Sequence, residues 1–412
     1  MHFSLIRQAL AALLVAVLVS ACGGGSSAPA PTGGITVAAG DSKATVSWTM
    51  EPGVQYWVFA APVTTTFPSI TTTNWVNIPG AQAFINVQSP YPVTGLINGF
   101  QYSFTVNART GDGPGGPGAT AVSVAPRPAG TTWGPGGSMG TNTLRTLTYG
   151  VSSDSLGYYV AMGDSGTTFK STTGLTWTAA PAATAAQING NIYTLSRFIG
   201  VGNAGTIVTS TDLTTWTSVT SNTTENLNAI TANGTLAVAV GNNGVIRTST
   251  DGTTWTAATT VPTTKNLYSV TYSGNGFWIA VGAGGTVLTS TDGKSWAAAA
   301  TGSTADLRAV TVQVISSYTF VAVGDNGTVV SSADNGVTWA TRTSGLTGNF
   351  LAISPSTSQL VATGAGGLVA TSPDGVTWTQ RVSGTTADLF SVLSGLSQYV
   401  AVGAGGVNIN SQ

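Results

Sequence analysis

The chain has a single histidine and a single cysteine in 412 residues, His2 and Cys22. Both lie near the N-terminus, and His2 falls in a segment that reads as an export signal, so the rest of the chain holds no imidazole and no thiol. That excludes a Ser-His or Cys-His catalytic pair, zinc held by thiolate or imidazole, and any structural disulfide. Charge is scarce as well: Asp, Glu, Lys and Arg make up 7% of the residues and the net charge is −1, which leaves no basic footprint for nucleic acid. There is no long helix-period segment. Abundant Gly, Thr, Ser, Val and Ala predict short strands joined by tight turns, an all-β protein with no cofactor and no metal site.

At the N-terminus one cation, Arg7, precedes an apolar run over residues 9–19 that ends in Val19-Ser20-Ala21-Cys22. The run is too short to cross a bilayer comfortably and stops at small residues, as a cleavage site requires. The last four residues resemble the lipobox of bacterial lipoproteins. This implies a signal peptide over 1–21, lipidation of Cys22, and an exported protein anchored to the outer membrane, facing the cell surface or the periplasm. The next residues, Gly23-Gly24-Gly25-Ser26-Ser27-Ala28-Pro29, predict a flexible linker over 22–33.

Residues 34–127 alternate apolar and polar positions, as in Ala44-Thr45-Val46-Ser47-Trp48, between turn residues, which is sandwich patterning. The stretch Leu96-Ile97-Asn98-Gly99-Phe100-Gln101-Tyr102-Ser103-Phe104-Thr105-Val106 resembles the fibronectin type III signature. The resemblance implies an immunoglobulin-like sandwich with Trp48 and Tyr102 in its core, serving as a spacer or an accessory binding module.

From residue 128 the chain repeats with a period near 40 residues. A Gly-x-x-Gly unit, preceded by an apolar strand, recurs with its first glycine at Gly163, Gly202, Gly241, Gly282, Gly324, Gly364 and Gly403. A Ser/Thr-rich turn and a tryptophan follow at Trp177, Trp216, Trp255, Trp296, Trp339 and Trp378. Four short strands per unit is the content of one propeller blade. Seven glycine units and six tryptophans leave one tryptophan to find. Thr131-Thr132-Trp133 copies Thr253-Thr254-Trp255, so the arithmetic predicts a seven-bladed β-propeller over 128–412, closed by an N-terminal strand at 131–133 that docks on the C-terminal blade.

Several turns read Ser-x-Asp-Gly-x-x-Trp, and Ser332-Ala333-Asp334-Asn335-Gly336-Val337-Thr338-Trp339 has the full Asp-box spacing. The region resembles Asp-box (bacterial neuraminidase repeat) propellers and the photosystem II assembly-factor type of propeller. Asp212, Asp251, Asp292, Asp334 and Asp374 read as structural, each accepting backbone N–H groups within its own turn, with the tryptophan packed between neighbouring blades.

The opposite rim carries the candidate ligand residues. Asp164, Asn203, Asn242, Asn243, Asp325 and Asn326 come from the glycine turns. Asn142, Glu225, Asn226, Asn266, Asp306, Asn349 and Asp388 come from the inter-blade links, and Arg145, Tyr268 and Arg308 from the first strands. A sialidase-like glycoside hydrolase would need three arginines, a Tyr-Glu pair and a catalytic aspartate. The propeller offers one glutamate, Glu225, and only two arginines at the first-strand position. No residue is therefore assigned a catalytic role. The sequence points to a non-enzymatic lipoprotein whose rim binds a protein or glycan, with a hydrolase and an envelope assembly or scaffold factor as alternatives.

Overall fold

Alternating and all-apolar stretches both become antiparallel pairs in the computed structural model, which describes residues 28–111, 115–314, 318–356, 358–395 and 398–411. The segment expected to be a signal peptide, 1–21, including His2, and the expected lipidation site Cys22 lie outside the described residues. The chain divides between Pro128 and Ala129 into two units.

In the first unit, Ile35–Gly40, Lys43–Trp48 and Tyr91–Thr94 form a three-stranded sheet. A four-stranded sheet runs in the order Gln82–Val87, Val54–Pro62, Tyr102–Thr110, Val122–Val124. The period-two pattern of Lys43–Trp48 turns Ala44, Val46 and Trp48 inward, against Tyr56 and Val58 and against Phe104 and Val106 of the other sheet, so one core joins both sheets. The Tyr102 hydroxyl accepts from the Ile97 amide at 3.2 Å. Ala28 packs into this core at 4% exposure, so the flexible linker expected over 22–33 does not extend to residue 33: a small apolar side chain is anchored within it.

The second unit contains seven four-stranded antiparallel sheets among the described residues. In one of them the strands are Leu227–Ala232, Ala237–Gly241, Ile246–Ser249 and Thr256–Ala257, in that order. Every residue of Ala237–Gly241 is buried, because the second strand lies inside its sheet with a neighbouring sheet on either side. The leading strands Leu144–Val151, Ile188–Thr194, Leu227–Ala232, Leu267–Tyr272, Leu307–Val314, Phe350–Pro355 and Leu389–Ser394 adjoin one another in sequence, and the last also adjoins the first. The repeat tryptophans fill the gaps between sheets: Trp296 packs on Leu236 and Val238 of the preceding sheet, and Trp255 on Ile199 and Val201.

The Gly-x-x-Gly unit has a steric cause. In all seven copies the residue after the first glycine donates its amide to the carbonyl just before the leading strand, as Asn242 does to Asn226 at 2.9 Å and Asp325 to Asp306 at 3.0 Å. A Cβ on the first glycine would collide with that carbonyl oxygen. The second glycine, such as Gly244 at φ +71°, is left-handed, and a Cβ there would meet the carbonyl of the link into the next sheet, Thr263 in this case.

The seventh sheet runs Leu389–Ser394, Tyr399–Gly403, Asn408–Ser411, Gly134–Pro135. The closing strand is thus at 134–135, paired with Ile409 and Asn410, rather than at 131–133. The reason is the repeat itself, since each fourth strand begins after its tryptophan, as Thr256–Ala257 follows Trp255. Residues 130–133 supply the turn. Ser249 Oγ accepts from the Gly252 amide at 2.8 Å, and across the chain ends Ser411 Oγ accepts from the Gly130 amide at 2.6 Å. Trp133 Nε1 donates to the Gly130 carbonyl at 2.8 Å, as Trp177, Trp255, Trp296 and Trp339 do to their own turn glycines. One turn motif is therefore split between the two ends of the unit.

Trp133→Ala deletes an aromatic that packs on Tyr399 with ring centroids 6.4 Å apart. It is expected to destabilise the second unit by about 3 kcal/mol, the low end for a large core truncation because Trp133 is only partly buried. Thermal melting should show one lowered transition. Loss confined to the ends, with the main transition unmoved, would contradict a closing role for this turn.

Candidate functional site

Each leading strand breaks register directly after its first apolar residue. The pairing skips Arg145, Asn189, Asn228, Tyr268, Arg308, Leu351 and Phe390 in turn. A β-bulge re-aims the extra side chain. Since these strands are the innermost and the bulge adjoins the Gly-x-x-Gly turn, the seven half-buried side chains gather around one mouth of the ring.

Two clusters dominate this mouth. Arg308 is held by Asp325 through Nε at 2.9 Å and Nη2 at 2.8 Å, and its Nη2 lies 3.1 Å from Asp306 Oδ2. Its guanidinium sits over the Tyr268 ring at 4.6 Å, and the Tyr268 hydroxyl donates to Asp306 Oδ2 at 3.2 Å. Burial, then the Asp306 charge, pushes the Tyr268 phenol above its ordinary value. Arg145 bonds Asp164 Oδ1 at 2.7 Å and covers the Phe390 ring at 5.1 Å. Between the clusters on one side stand Asn189 and Asn228, which donate to Asn203 and Asn242 at 2.9 Å each and to the Leu227 and Leu267 carbonyls of the following sheets. On the other side stands Leu351.

Most link residues named from the sequence point elsewhere. Asn226, Asn266, Asp306, Asn349 and Asp388 each accept, through Oδ1, the amide of the left-handed turn residue of the preceding sheet: Ala204, Asn243, Gly284, Asn326 and Gly366, at 2.8–3.0 Å. These side chains staple sheet to sheet, and Asp306 alone also faces the mouth cluster. Asn243 and Asn326 supply left-handed backbone with exposed side chains. Asn142 donates to Thr167 Oγ1 at 2.7 Å. Glu225 lines a separate outer cleft with Arg247, away from Tyr268's bond to Asp306. Asn189, Asn228, Leu351 and Phe390 escaped the sequence reading. The signal was available: each directly follows the leading Ile, Leu or Phe, as Arg145, Tyr268 and Arg308 do.

On the other face, the turn aspartates are occupied by their own turns. Asp251 Oδ1 accepts from the Thr253 and Thr254 amides at 2.7 Å each and from Ser249 Oγ at 3.0 Å, with equivalent bonds at Asp212, Asp292 and Asp374. Asp334 accepts from the Thr338 amide and hydroxyl. The Thr215 and Thr214 amides lower the Asp212 carboxyl, and the Thr254 and Thr253 amides that of Asp251. The Ser295 amide chiefly holds Asp292 at about 2, and the Thr338 hydroxyl and amide hold Asp334 at about 2. Among the described residues no three His, Cys, Asp or Glu side chains come together as metal ligands.

Closed rows of four-stranded sheets with their leading strands innermost define a β-propeller protein. The family described as "DUF6242 beta propeller domain" matches residues 221–350. Among solved structures the chain is similar to YCF48 from Cyanidioschyzon merolae, at 18% identity and a TM-score of 0.55, covering 68% of this chain and 98% of that one. It is also similar to YCF48 bound to D1 peptide, at 16% identity and a TM-score of 0.55, covering 68% and 94%. At such identities the likeness shows the fold. No curated protein matches the chain.

The depressed aspartates make a signed prediction. Their folded values lie below the unfolded value of about 3.9, so their stabilisation is complete above about pH 4 and is lost as pH falls toward 2. Urea midpoints measured from about pH 5 to about pH 2 should fall less steeply for Asp292→Asn/Asp334→Asn, which keeps an acceptor without a titrating group. Parallel slopes would contradict this.

Proposed function

We propose that the chain is a non-enzymatic binding protein, exported and held to the bacterial outer membrane by a lipid on Cys22, whose propeller mouth takes a segment of a partner protein. On this reading the seven sheets are seven blades of one ring and the Ser-x-Asp turns are Asp-box repeats. The first unit is a fibronectin type III-like spacer, a reading supported by its shared two-sheet core and the Tyr102–Ile97 bond. The observation that carries the proposal is the composition of the bulged arc. Leu351 and Phe390 offer apolar surface flanked by Arg308 and Arg145, while Asn189, Asn228 and Tyr268 offer polar groups on the remaining side. Apolar anchors beside fixed charges and amides suit a peptide. A YCF48 structure has a D1 peptide bound, which favours a protein partner for a propeller of this shape. An envelope assembly role would be one form of such binding.

A sialidase-like reaction fits the mouth poorly. Its two arginines stand on the first and fifth sheets, each already paired with a carboxylate, and the Tyr268 hydroxyl is bonded to Asp306 while Glu225 lies elsewhere.

The test uses the Cys22→Ser chain, which on this reading leaves the membrane fraction and is soluble. An array of short peptides should retain it at discrete spots, Arg308→Ala should weaken the best of them about tenfold, and sialoside turnover should be absent. Retention by no peptide, or sialoside hydrolysis lost in Tyr268→Phe, would reject the proposal.

A further inference from the structure

Bulged residues and glycine turns are matched sheet by sheet. In four sheets the bulged residue is Arg or Asn and bonds the residue that follows the first glycine of its own turn, as Arg308 bonds Asp325 and Asn228 bonds Asn242. In the other three the bulged residue is Tyr268, Leu351 or Phe390, and that turn residue is alanine. Two of these three, the sixth and seventh sheets, are neighbours. Leu351 and Phe390, with Ala365 and Ala404, therefore form an apolar arc of the mouth, and Asp388 stands in the link between the two sheets.

The structural role of Asp388 does not need its charge. Asp388 Oδ1 accepts the Gly366 amide at 2.8 Å, the same staple that Asn226, Asn266 and Asn349 make with a neutral amide oxygen. In the fifth sheet Asp306 occupies this position and its second oxygen is used: Oδ2 meets Arg308 Nη2 at 3.1 Å and the Tyr268 hydroxyl at 3.2 Å. Those partners are the bulged residues of its own sheet and of the sheet before. At the seventh sheet the corresponding residues are Phe390 and Leu351, which have no polar group to offer. The shared Oδ1 contact fixes the Asp388 carboxylate alike and turns Oδ2 toward these two side chains. Among the described residues that oxygen has no hydrogen-bond or ion-pair partner. Leu351, Asp388 and Phe390 are each half-buried, so the carboxylate is open to a ligand yet partly stripped of water.

We propose that Asp388 determines the specificity of the mouth, pairing with a lysine or arginine side chain of the partner segment whose apolar stem lies along Leu351 and Phe390. The inference rests on the peptide-binding reading above and adds the charge that the peptide must carry. The fifth sheet is the internal template, because there the protein supplies its own cation, Arg308, to a link aspartate and the aromatic ring of the preceding sheet. At the seventh sheet the carboxylate is kept and the cation is left to the partner. Long basic side chains suit such a place, since the stem covers apolar surface while the head makes a charge-assisted bond. A metal ion is disfavoured: among the described residues no three potential ligands come together, and hard cations take several oxygens.

Asp388→Asn separates charge from structure, since it keeps the acceptor that serves three other sheets. Peptides retained on the array by the Cys22→Ser chain should carry Lys or Arg. In isothermal titration the best of them should bind Asp388→Asn about tenfold more weakly. Replacing the peptide's basic residue with norleucine should cost the Cys22→Ser chain a similar factor and cost Asp388→Asn nothing further, the signature of a direct pair. The norleucine peptide is measured on the unaltered mouth, so misfolding of a variant cannot produce its loss. Retained peptides without Lys or Arg, or a peptide weakened by Arg308→Ala but bound equally by Asp388→Asn, would overturn this inference and leave the peptide-binding mouth standing. Retention of no peptide would reject both.

Discussion

The ring of sheets rests on a two-way contact at the start of each leading strand. One residue there gives its carbonyl to the amide of its own sheet's glycine turn, and in five sheets its side chain reaches back to the turn of the sheet before. Where both form, the two bonds tie the glycine turn both to its own leading strand and to the link of the next sheet. Both glycines of the turn are needed because the chain passes too close for any side chain. Burial of the second strands and the tryptophans then adds the apolar part of the stability.

The same contact positions the mouth. Fixing the carbonyl before the leading residue leaves the next residue out of register, and the resulting bulge sends its side chain toward the ring opening. A propeller built this way has seven positions that lie outside the strand pairing of their own sheets. That freedom explains how Arg, Asn, Tyr, Leu and Phe all occur at one structural position. The seam is built differently: its turn is assembled from Gly130, Trp133 and Ser411, residues that come from the two ends of the second unit.

Much of this architecture was legible in the sequence because glycine and tryptophan act as fixed marks. The seven glycine units and the need to complete the last one pointed to the closing segment. Its strand was placed three residues early because the tryptophan belongs to the turn, and Trp133 gave no sign of that without the Ser411 contact. The candidate site was legible only in part. Asn and Asp beside glycine turns suggest a ligand-binding ring, yet Asn226, Asn266, Asn349 and Asp388 bond the neighbouring turn. Such long-range staples leave no local pattern distinct from ordinary turn chemistry. Conversely, Leu351 and Phe390 read as strand residues, and only the bulge turns them toward the mouth.

Native-state hydrogen exchange at the stapled amides tests the central claim most directly. The Ala204, Asn243, Gly284, Asn326 and Gly366 amides should exchange only through opening of the ring, with protection close to that of the buried second strands. Asn266→Ala should release Asn243 and lower the protection of the adjoining sheets together. Fast exchange of these amides in the parent protein, at the pace of exposed turns, would contradict the view that these contacts hold the ring closed.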